Sequence, residues 1–223
     1  MRILVTAGGT EEPVDGVRRL TNLSTGRTGA VIAEAMAAAG HRVLLLHGQR
    51  AAVPPESMAN LSRESFLSFA DLEALLRRHL AAEDWDAVVH LAAVSDYRVG
   101  EILVDGRSVP PGTGKIGTGN EVLLRLRPNP KLLNALKDWS RNPGLTVVGF
   151  KLTDGADEAE AASRVAALFA KGGVDYVVHN ELRDISEGAH PAVLWKGSAA
   201  IRRVAAKAEL ADALIDILEG ETS

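Results

Sequence analysis

A run rich in hydroxyl groups and glycine, residues 22–28 (NLSTGRT), leads into Gly29 and an alanine-rich segment with helical periodicity. It follows a short apolar segment at 2–6 and a tight turn at 7–10. Backbone N–H groups at a helix start lack intrahelical partners, and the helix dipole is positive there, so both features favour a phosphate. The pattern predicts a phosphate site between the first strand and the first helix. The alternative is a structural role, in which these glycines only allow tight turns.

Segments of strand length alternate with segments of helical periodicity along most of the chain. Strands are predicted at 2–6, 43–46, 61–66, 86–91, 145–150 and 174–178, and helices at 28–39, 70–82 and 157–171. Because these strands are apolar on both faces, they require a mostly parallel sheet that is covered on both sides. The sequence therefore predicts an α/β, Rossmann-like, doubly wound fold, with one domain spanning 1–223. A hairpin near 192–203 and a final helix complete it.

The segment at about 97–130 interrupts this alternation. Residues 101–104 and 121–127 are strand-like, and the second of these alternates side chains in the period of a half-exposed ribbon. Between them, 110–119 is too rich in glycine and proline for a regular element, and it carries Lys115. We predict a β-ribbon with a flexible flap. Its apolar side must cover either the cleft of the same chain or a second chain, and we expect a homodimer to bury it.

Composition excludes several classes of protein. The 223 residues include 25 basic and 29 acidic side chains, and the net charge of −4 argues against a nucleic-acid binder that depends on bulk charge. The absence of cysteine excludes disulfides, thiol nucleophiles and thiolate metal sites. The six histidines have no spacing typical of metal ligands, and no secretory signal or membrane span is evident. We expect a cytoplasmic protein with small-molecule partners and neither nucleic acid nor membrane as a partner.

Polar and small residues follow several of the predicted strands, where an open α/β sheet binds its ligands. They are Gly8, Gly9 and Thr10 after the first strand, Ala92, Ala93 and Asp96 after 86–91, Lys151 after 145–150, and Asn180 after 174–178. The small residues would let a ligand approach the backbone, while the polar ones would contact it. We expect one binding site at this edge of the sheet.

A series of short motifs resembles one enzyme family in order and spacing. The motifs lie at 5–10, 12–15, 17–18, 22–26, 92–97, 115–116, 128–130, 148–150 and 180. They are similar to those of phosphopantothenoylcysteine synthetase, also called phosphopantothenate–cysteine ligase, of coenzyme A biosynthesis. The resemblance spans nearly the whole chain and is to the stand-alone form of that family, so no flavin is expected.

The resemblance implies a ligation in two steps. The carboxylate of 4′-phosphopantothenate attacks the α-phosphate of a nucleoside triphosphate, CTP or ATP, and pyrophosphate leaves. The amine of cysteine then displaces the nucleotide from the acyl-nucleotide intermediate. Negative charge develops in both steps and needs fixed donors and cations, and Mg²⁺ is expected to accompany the triphosphate, with its protein ligands, if any, unknown.

The family resemblance also implies roles for individual residues. Those expected to bind the nucleotide are Gly8, Gly9, Thr10, Ser24, Gly26, Gly29, Phe150, Lys151 and Asn180. Those expected to bind 4′-phosphopantothenate are Asn22, Ala92, Ala93 and Asp96. Asn22 would also donate to the acyl oxygen, while Arg18 and Lys115 would supply positive charge during catalysis. The flap departs from the family pattern, because the sequence 117–119 (GTG) stands where further lysines are frequent.

Two other functions stay open. Residues 86–93 also resemble a strand of extended short-chain dehydrogenases, which are NAD(P)-dependent oxidoreductases. Their chemistry needs a tyrosine with a lysine four residues later, but Glu101 follows Tyr97 and Asn180 follows Tyr176 at that spacing. The first turn also lacks the G-x-G-x-x-G pattern of dinucleotide binding. The second alternative is a noncatalytic nucleotide-binding homologue.

Overall fold

The structure, a computed structural model, describes residues 1–186 and 189–220. Its strands are β1 (Arg2–Ala7), β2 (Glu11–Pro13), β3 (Arg19–Thr21), β4 (Arg42–Gly48), β5 (Leu61–Phe66), β6 (Ala87–His90), β7 (Tyr97–Val104), β8 (Arg107–Val109), β9 (Val122–Pro128), β10 (Thr146–Thr153), β11 (Tyr176–Glu181), β12 (Ala192–Lys196) and β13 (Ala199–Val204). Its α-helices are α1 (Arg27–Ala38), α2 (Phe69–Ala82), α3 (Leu136–Trp139), α4 (Glu158–Ala170) and α5 (Lys207–Glu219). Short 3₁₀ turns lie at Leu132–Ala135 and Leu182–Asp184.

The main sheet has eight strands in the order β13-β12-β11-β10-β6-β1-β4-β5. The strands from β11 to β5 pair in parallel, whereas β12 and β13 are antiparallel and extend one edge. The chain starts at the centre with β1, winds outward through β4 and β5, and returns to the other side of β1 as β6. The direction of winding therefore reverses between β1 and β6, the position where this kind of sheet opens a crevice for ligands. The predicted Rossmann-like α/β fold is confirmed.

Each face of the sheet is covered by helices. On one face, Ile32 and Met36 of α1 and Leu214 of α5 pack against Val5 and Val148 of the sheet, and all five side chains are buried. The other face is covered by α2 and by the segment that contains α3, whose buried side chains include Leu72, Leu76 and Leu136. Burial on both faces explains why the central strands lack alternation of apolar and polar residues. Among the described residues, no helix combines the length and apolar character needed to cross a membrane.

The predicted ribbon forms a separate three-stranded sheet in the order β8-β7-β9. Every residue of β9 is exposed in the single chain, so the expectation of a half-exposed strand was wrong. The strand is held by its ladder to β7, where Ile102 is buried, and the apolar side chains Val122, Leu124 and Leu126 of β9 remain about 40% exposed. Alternating side chains thus correctly indicated a ribbon but did not reveal that both faces of β9 are exposed in this chain.

Sequence patterns missed three elements. The hairpin of β2 and β3 is too short for a period to be recognised, and contacts far along the chain hold it: the amide of Glu11 donates to the carbonyl of Leu67, and Glu12 accepts from the amide of Phe69. The short β8 and the helical segment from Leu132 to Trp139 were also missed. Strand β10 continues to Thr153, beyond the predicted end at 150, because Lys151 and the residues after it pair with β11.

Candidate ligand-binding site

A cavity of about 670 Å³ opens at the carboxyl ends of β1, β6, β10 and β11. Its walls are the loop between β3 and α1, the loop after β6, the segment after Asn129, the end of α4 and the loop before β12. These elements are far apart in sequence and meet because parallel strands end at the same edge. The volume falls within the range of small-molecule sites.

The start of α1 forms one wall of the cavity and offers free backbone donors. Gly26 precedes the helix with φ 72°, a left-handed conformation that glycine adopts without strain. The N-cap residue Gly26 provides no side-chain cap, and the first turn contains no acidic residue. The amide of Arg27 makes only a long contact, 3.5 Å, with Oγ1 of Thr25. A Cβ on Gly29 would lie 2.4 Å from Cβ of Ala7, so only glycine allows α1 to approach β1 this closely. An uncapped helix start beside a cavity suits an anion.

Three lysines, Lys131, Lys151 and Lys171, line the cavity. Lys131 forms an ion pair with Asp96, whose side chain also borders the cavity. Burial lowers the pKa of Lys151, and the neighbouring cations Arg164 and Lys131 lower it further. Cations that repel one another in a half-buried site are relieved by an anionic ligand. Together with the start of α1, they make the cavity suited to phosphate groups.

The loop after β6 forms a shelf of backbone along the cavity. The amide of Ala92 donates to Oγ1 of Thr6 over 3.2 Å, and the amide of Ala93 donates to the carbonyl of Gly8 over 2.8 Å. Their small side chains leave this backbone accessible from the cavity. Buried Asn129 supports the shelf from behind, because its side chain donates to the carbonyl of Ser95 and its backbone amide donates to that of Asp96.

Asn22 directly follows β3 and lines the cavity beside the shelf. Its side-chain amide donates to the carbonyl of Val94 over 3.3 Å, and the residue is exposed. An amide at this position can redirect a donor toward a ligand, since the contact with Val94 is long and lies at the surface.

At the far end, the side chain of Asn180 is buried and donates to the carbonyl of Pro191 over 2.7 Å. Near it, Nε2 of His190 lies 3.4 Å from Oγ1 of Thr28, which is within α1. Burial lowers the pKa of His190, so this imidazole is neutral at physiological pH. His190 and Pro191, which directly precede β12, are thus in contact with α1 and with the end of β11, respectively.

The structure brings most of the predicted site residues together. Those that line the cavity are Gly8, Asn22, Ser24, Gly26, Gly29, Ala92, Ala93, Asp96, Phe150, Lys151 and Asn180. The cavity lining does not include Gly9, Thr10, Arg18 or Lys115. Proximity alone does not test any role, so the roles themselves stay predictions.

The residues outside the lining have identifiable positions. Thr10 is fully buried, and its Oγ1 accepts from the amide of Ser95, so it supports the shelf from behind instead of facing a ligand. Direct nucleotide contact by Thr10 is therefore not what this geometry provides. Arg18 pairs with Asp15 over 2.6 Å, and Lys115 is exposed in the flap. Both cations lie outside the cavity within one chain.

The sequence analysis missed Lys131, Lys171 and His190 as cavity residues. Lys131 directly follows the 128–130 motif and Lys171 ends α4, so each stands beside a recognised signal. Surface lysines are frequent, however, so their presence in the sequence does not indicate a site. Only the packing of the folded chain brings Lys131, Lys171 and His190 to one cavity. Among the described residues, no group of three His, Asp or Glu side chains is arranged to bind a metal.

The family described as the DNA/pantothenate metabolism flavoprotein C-terminal domain matches residues 1–220 of the chain. The chain belongs to this family. The resemblance to phosphopantothenoylcysteine synthetase that the motifs indicated is therefore confirmed at the level of the family. A solved structure of a DNA/pantothenate metabolism flavoprotein from Streptococcus pneumoniae is 30% identical, has a TM-score of 0.85, and is matched over 99% of both chains.

Relatives of this family member include longer proteins. The coenzyme A biosynthesis bifunctional protein CoaBC of Thermococcus kodakarensis is 34% identical over 193 residues, which are 86% of this chain and 44% of that protein. The chain thus spans less than half the length of this curated relative. A solved complex of a Cab2 variant with phosphopantothenate-cysteine has a TM-score of 0.78 at 18% identity and covers 99% of this chain and 87% of that one. At that identity the likeness concerns the fold.

Proposed function

We propose that this chain is a phosphopantothenate–cysteine ligase that joins 4′-phosphopantothenate to cysteine through an acyl-nucleotide, at the expense of CTP or ATP. The observation that carries the proposal is a single cavity in which the uncapped start of α1 and three lysines face the backbone shelf of Ala92 and Ala93. Such a cavity suits two phosphorylated ligands side by side, which is what the first step requires. Family membership and the names of the relatives support the same reaction.

In the first step, the substrate carboxylate must approach the α-phosphorus while the bond to pyrophosphate breaks. The start of α1 and Lys151 would hold the triphosphate and disperse the charge of the leaving group. Bound Mg²⁺ would act as a further charge screen on the triphosphate, and the anion-binding groups of the cavity are compatible with a metal held chiefly by phosphate oxygens. Asn22, beside the shelf, would donate to the acyl oxygen.

In the second step, the amine of cysteine attacks the acyl carbon, the carbon–oxygen bond to the nucleotide breaks, and the amine loses a proton. Positive charge near the acyl oxygen and the departing nucleotide would lower this barrier. Arg18 and Lys115 are the proposed sources of that charge. Because both lie outside the cavity in a single chain, their action requires the contribution of a second chain or a movement of the flap together with the turn between β2 and β3, to which it is bonded.

A homodimer belongs to the proposal because the apolar side of the ribbon is partly exposed in one chain. Val122, Leu124 and Leu126 are about 40% exposed on alternate positions of β9. Arg18 lies beside this side of the ribbon, since it lines a second cavity together with Val122 and Leu124. A partner that covers the ribbon would therefore also meet Arg18. A cytoplasmic location remains a prediction.

The alternative of a short-chain dehydrogenase gains no support from the geometry. Neither Tyr97 nor Tyr176 lines the cavity, so a tyrosine is not placed for proton transfer. A noncatalytic nucleotide-binding homologue would use the same cavity and differs only in turnover. An activity assay, and not the shape of the cavity, therefore distinguishes a ligase from a noncatalytic homologue.

The decisive assay measures pyrophosphate release with 4′-phosphopantothenate and Mg²⁺, with CTP and ATP in separate reactions, each with and without cysteine. We expect substrate-dependent pyrophosphate release with one or both nucleotides, and phosphopantothenoylcysteine only when cysteine is present. Nucleotide binding without pyrophosphate release would identify a noncatalytic homologue. Oxidation of NADPH by a carbonyl substrate, in the absence of pyrophosphate release, would favour the dehydrogenase instead.

A further inference from the structure

The carboxylate of Asp15 joins the turn between β2 and β3 to the flap. One oxygen, Oδ1, accepts from the backbone amides of Val17 and Arg18 over 2.8 and 2.7 Å. The other, Oδ2, accepts from the Arg18 guanidinium over 2.6 Å and from the amide of Ile116 over 3.1 Å. Asp15 has no exposed surface, and these hydrogen bonds lower the pKa of its carboxyl, so it is ionised at neutral pH. Each oxygen thus has a separate task.

A second set of contacts reinforces the junction. The amide of Gly16 donates to the carbonyl of Gly114 over 2.7 Å, and the Arg18 guanidinium donates to the carbonyl of Ile116 over 3.2 Å. A Cβ on Gly16 would lie 2.5 Å from the carbonyl oxygen of Gly114, so a larger residue would push the flap away. Gly114 and Ile116 are therefore both anchored, and Lys115 is the exposed residue between them.

The same hairpin leads directly to the cavity. Strands β2 and β3 pair from Glu11 to Thr21, and Oγ1 of Thr21 donates to the carbonyl of Thr10 over 2.8 Å. The next residue after β3 is Asn22, which lines the cavity. One end of the hairpin thus carries Asn22, while the other end holds the flap on both sides of Lys115.

We propose that Asp15 is a positioning residue, which holds Lys115 for catalysis by binding the amide of Ile116 through Oδ2 while its Oδ1 maintains the turn. The proposal rests on the proposed ligase function for the role of Lys115, but the junction itself can be tested without activity. The proposal predicts that the position of the flap depends on Oδ2 of Asp15. This atom binds the amide of Ile116, which is 101 residues away in sequence.

Asp15→Asn separates the two tasks, because an asparagine keeps one carbonyl oxygen for the amides of Val17 and Arg18. Its amide nitrogen then faces the N–H groups of Ile116 and of the Arg18 guanidinium and cannot accept from them. The turn is retained and the contact with the flap is lost. The matched control is Asp105→Asn, because Asp105 also accepts a backbone amide, that of Glu121, within the ribbon.

The first measurement is hydrogen exchange at the Ile116 amide of the full chain, without ligand. Loss of a hydrogen bond to a charged acceptor should speed this exchange by about tenfold or more in Asp15→Asn and leave it unchanged in Asp105→Asn. Gly16→Ala should speed it as well, by steric displacement without a change of charge. Unchanged exchange at Ile116 in both Asp15→Asn and Gly16→Ala would overturn the junction, whatever the enzyme activity.

The second measurement compares single and double variants in the ligase assay. If Asp15 acts through Lys115, then Asp15→Asn and Lys115→Gln should each lower the rate of cysteine-dependent product formation, and the double variant should be no slower than Lys115→Gln. Rate losses that multiply would refute positioning through Lys115. Faster exchange at Ile116 in a chain without pyrophosphate release would instead leave the junction established and reject the proposed ligase function, on which the catalytic role of Lys115 depends.

Discussion

Oγ1 of Thr6 lies 2.9 Å from Nδ1 of His90, in the buried space between β1 and β6. The same hydroxyl accepts from the amide of Ala92, so its hydrogen is free to be donated to the imidazole. This pair connects the two strands at the point where the sheet reverses its winding. It also holds the start of the backbone shelf, and His90 itself borders the cavity.

The first prediction concerns pH and His90. Burial lowers the pKa of this imidazole to about 4. Because the unfolded chain takes up a proton near pH 6.5 and the folded chain does not, the free energy of unfolding falls as the pH drops from 6.5 toward 4. At pH 4.5 the buried neutral His90 lowers the free energy of unfolding by roughly 2.5 kcal/mol relative to pH 7. We expect His90→Gln to reduce the loss of stability between pH 7 and pH 4.5 by that order, as measured by urea unfolding; an identical loss in both proteins would contradict the prediction.

The second prediction concerns Asn22→Asp. The substitution replaces an amide donor by a carboxylate beside anionic ligands, so we expect turnover to fall by about 100-fold. Pyrophosphate release and product formation measure the effect, and circular dichroism checks the fold. The control is Asn60→Asp, the same change at an exposed residue that does not line the cavity. Normal turnover of Asn22→Asp would remove this side chain from the mechanism.

The third prediction concerns Lys151→Met. This lysine is half-buried among cations, so its charge opposes folding and favours anion binding. Titration calorimetry should show nucleoside triphosphate bound about 10-fold to 100-fold more weakly. The Tm of the ligand-free variant should equal or exceed that of the unmodified chain, because the substitution removes a charge that burial and neighbouring cations disfavour. Lys196→Met, at the end of β12 and outside the cavity lining, is the control; equal affinity in the two variants would contradict a nucleotide contact.

The fourth prediction concerns the ribbon. If a second chain covers the apolar side of β9, Leu124→Asp places a charge in that interface and should raise the dimer dissociation constant by about 100-fold or more. Sedimentation velocity at micromolar concentration measures the change. Leu182→Asp alters an exposed leucine outside the ribbon and should leave the assembly intact. A chain that is already monomeric before substitution would reject the dimer.

The sequence alone was sufficient for the layered fold, and eleven of the fifteen predicted site residues line the cavity. Apolar strands that alternate with amphipathic helices allow few arrangements, because each strand must be buried on both faces. Once the strands are known to be parallel, residues that follow β1, β6, β10 and β11 must meet at one edge. This rule correctly predicted that Gly8, Ala92, Lys151 and Asn180 would share a site, although they are scattered over more than half of the chain.

Only the tertiary structure decided which predicted residues face the cavity. Thr10 is turned inward to the amide of Ser95, and Arg18 is held by Asp15, outcomes that depend on contacts between residues distant in sequence. The lysines at 131 and 171 join the cavity for the same reason. Periodicity specifies which side of a helix or strand is buried, because the side on which a residue lies is set by its spacing from neighbours along the chain. The direction of one polar side chain depends on partners that only the folded chain supplies.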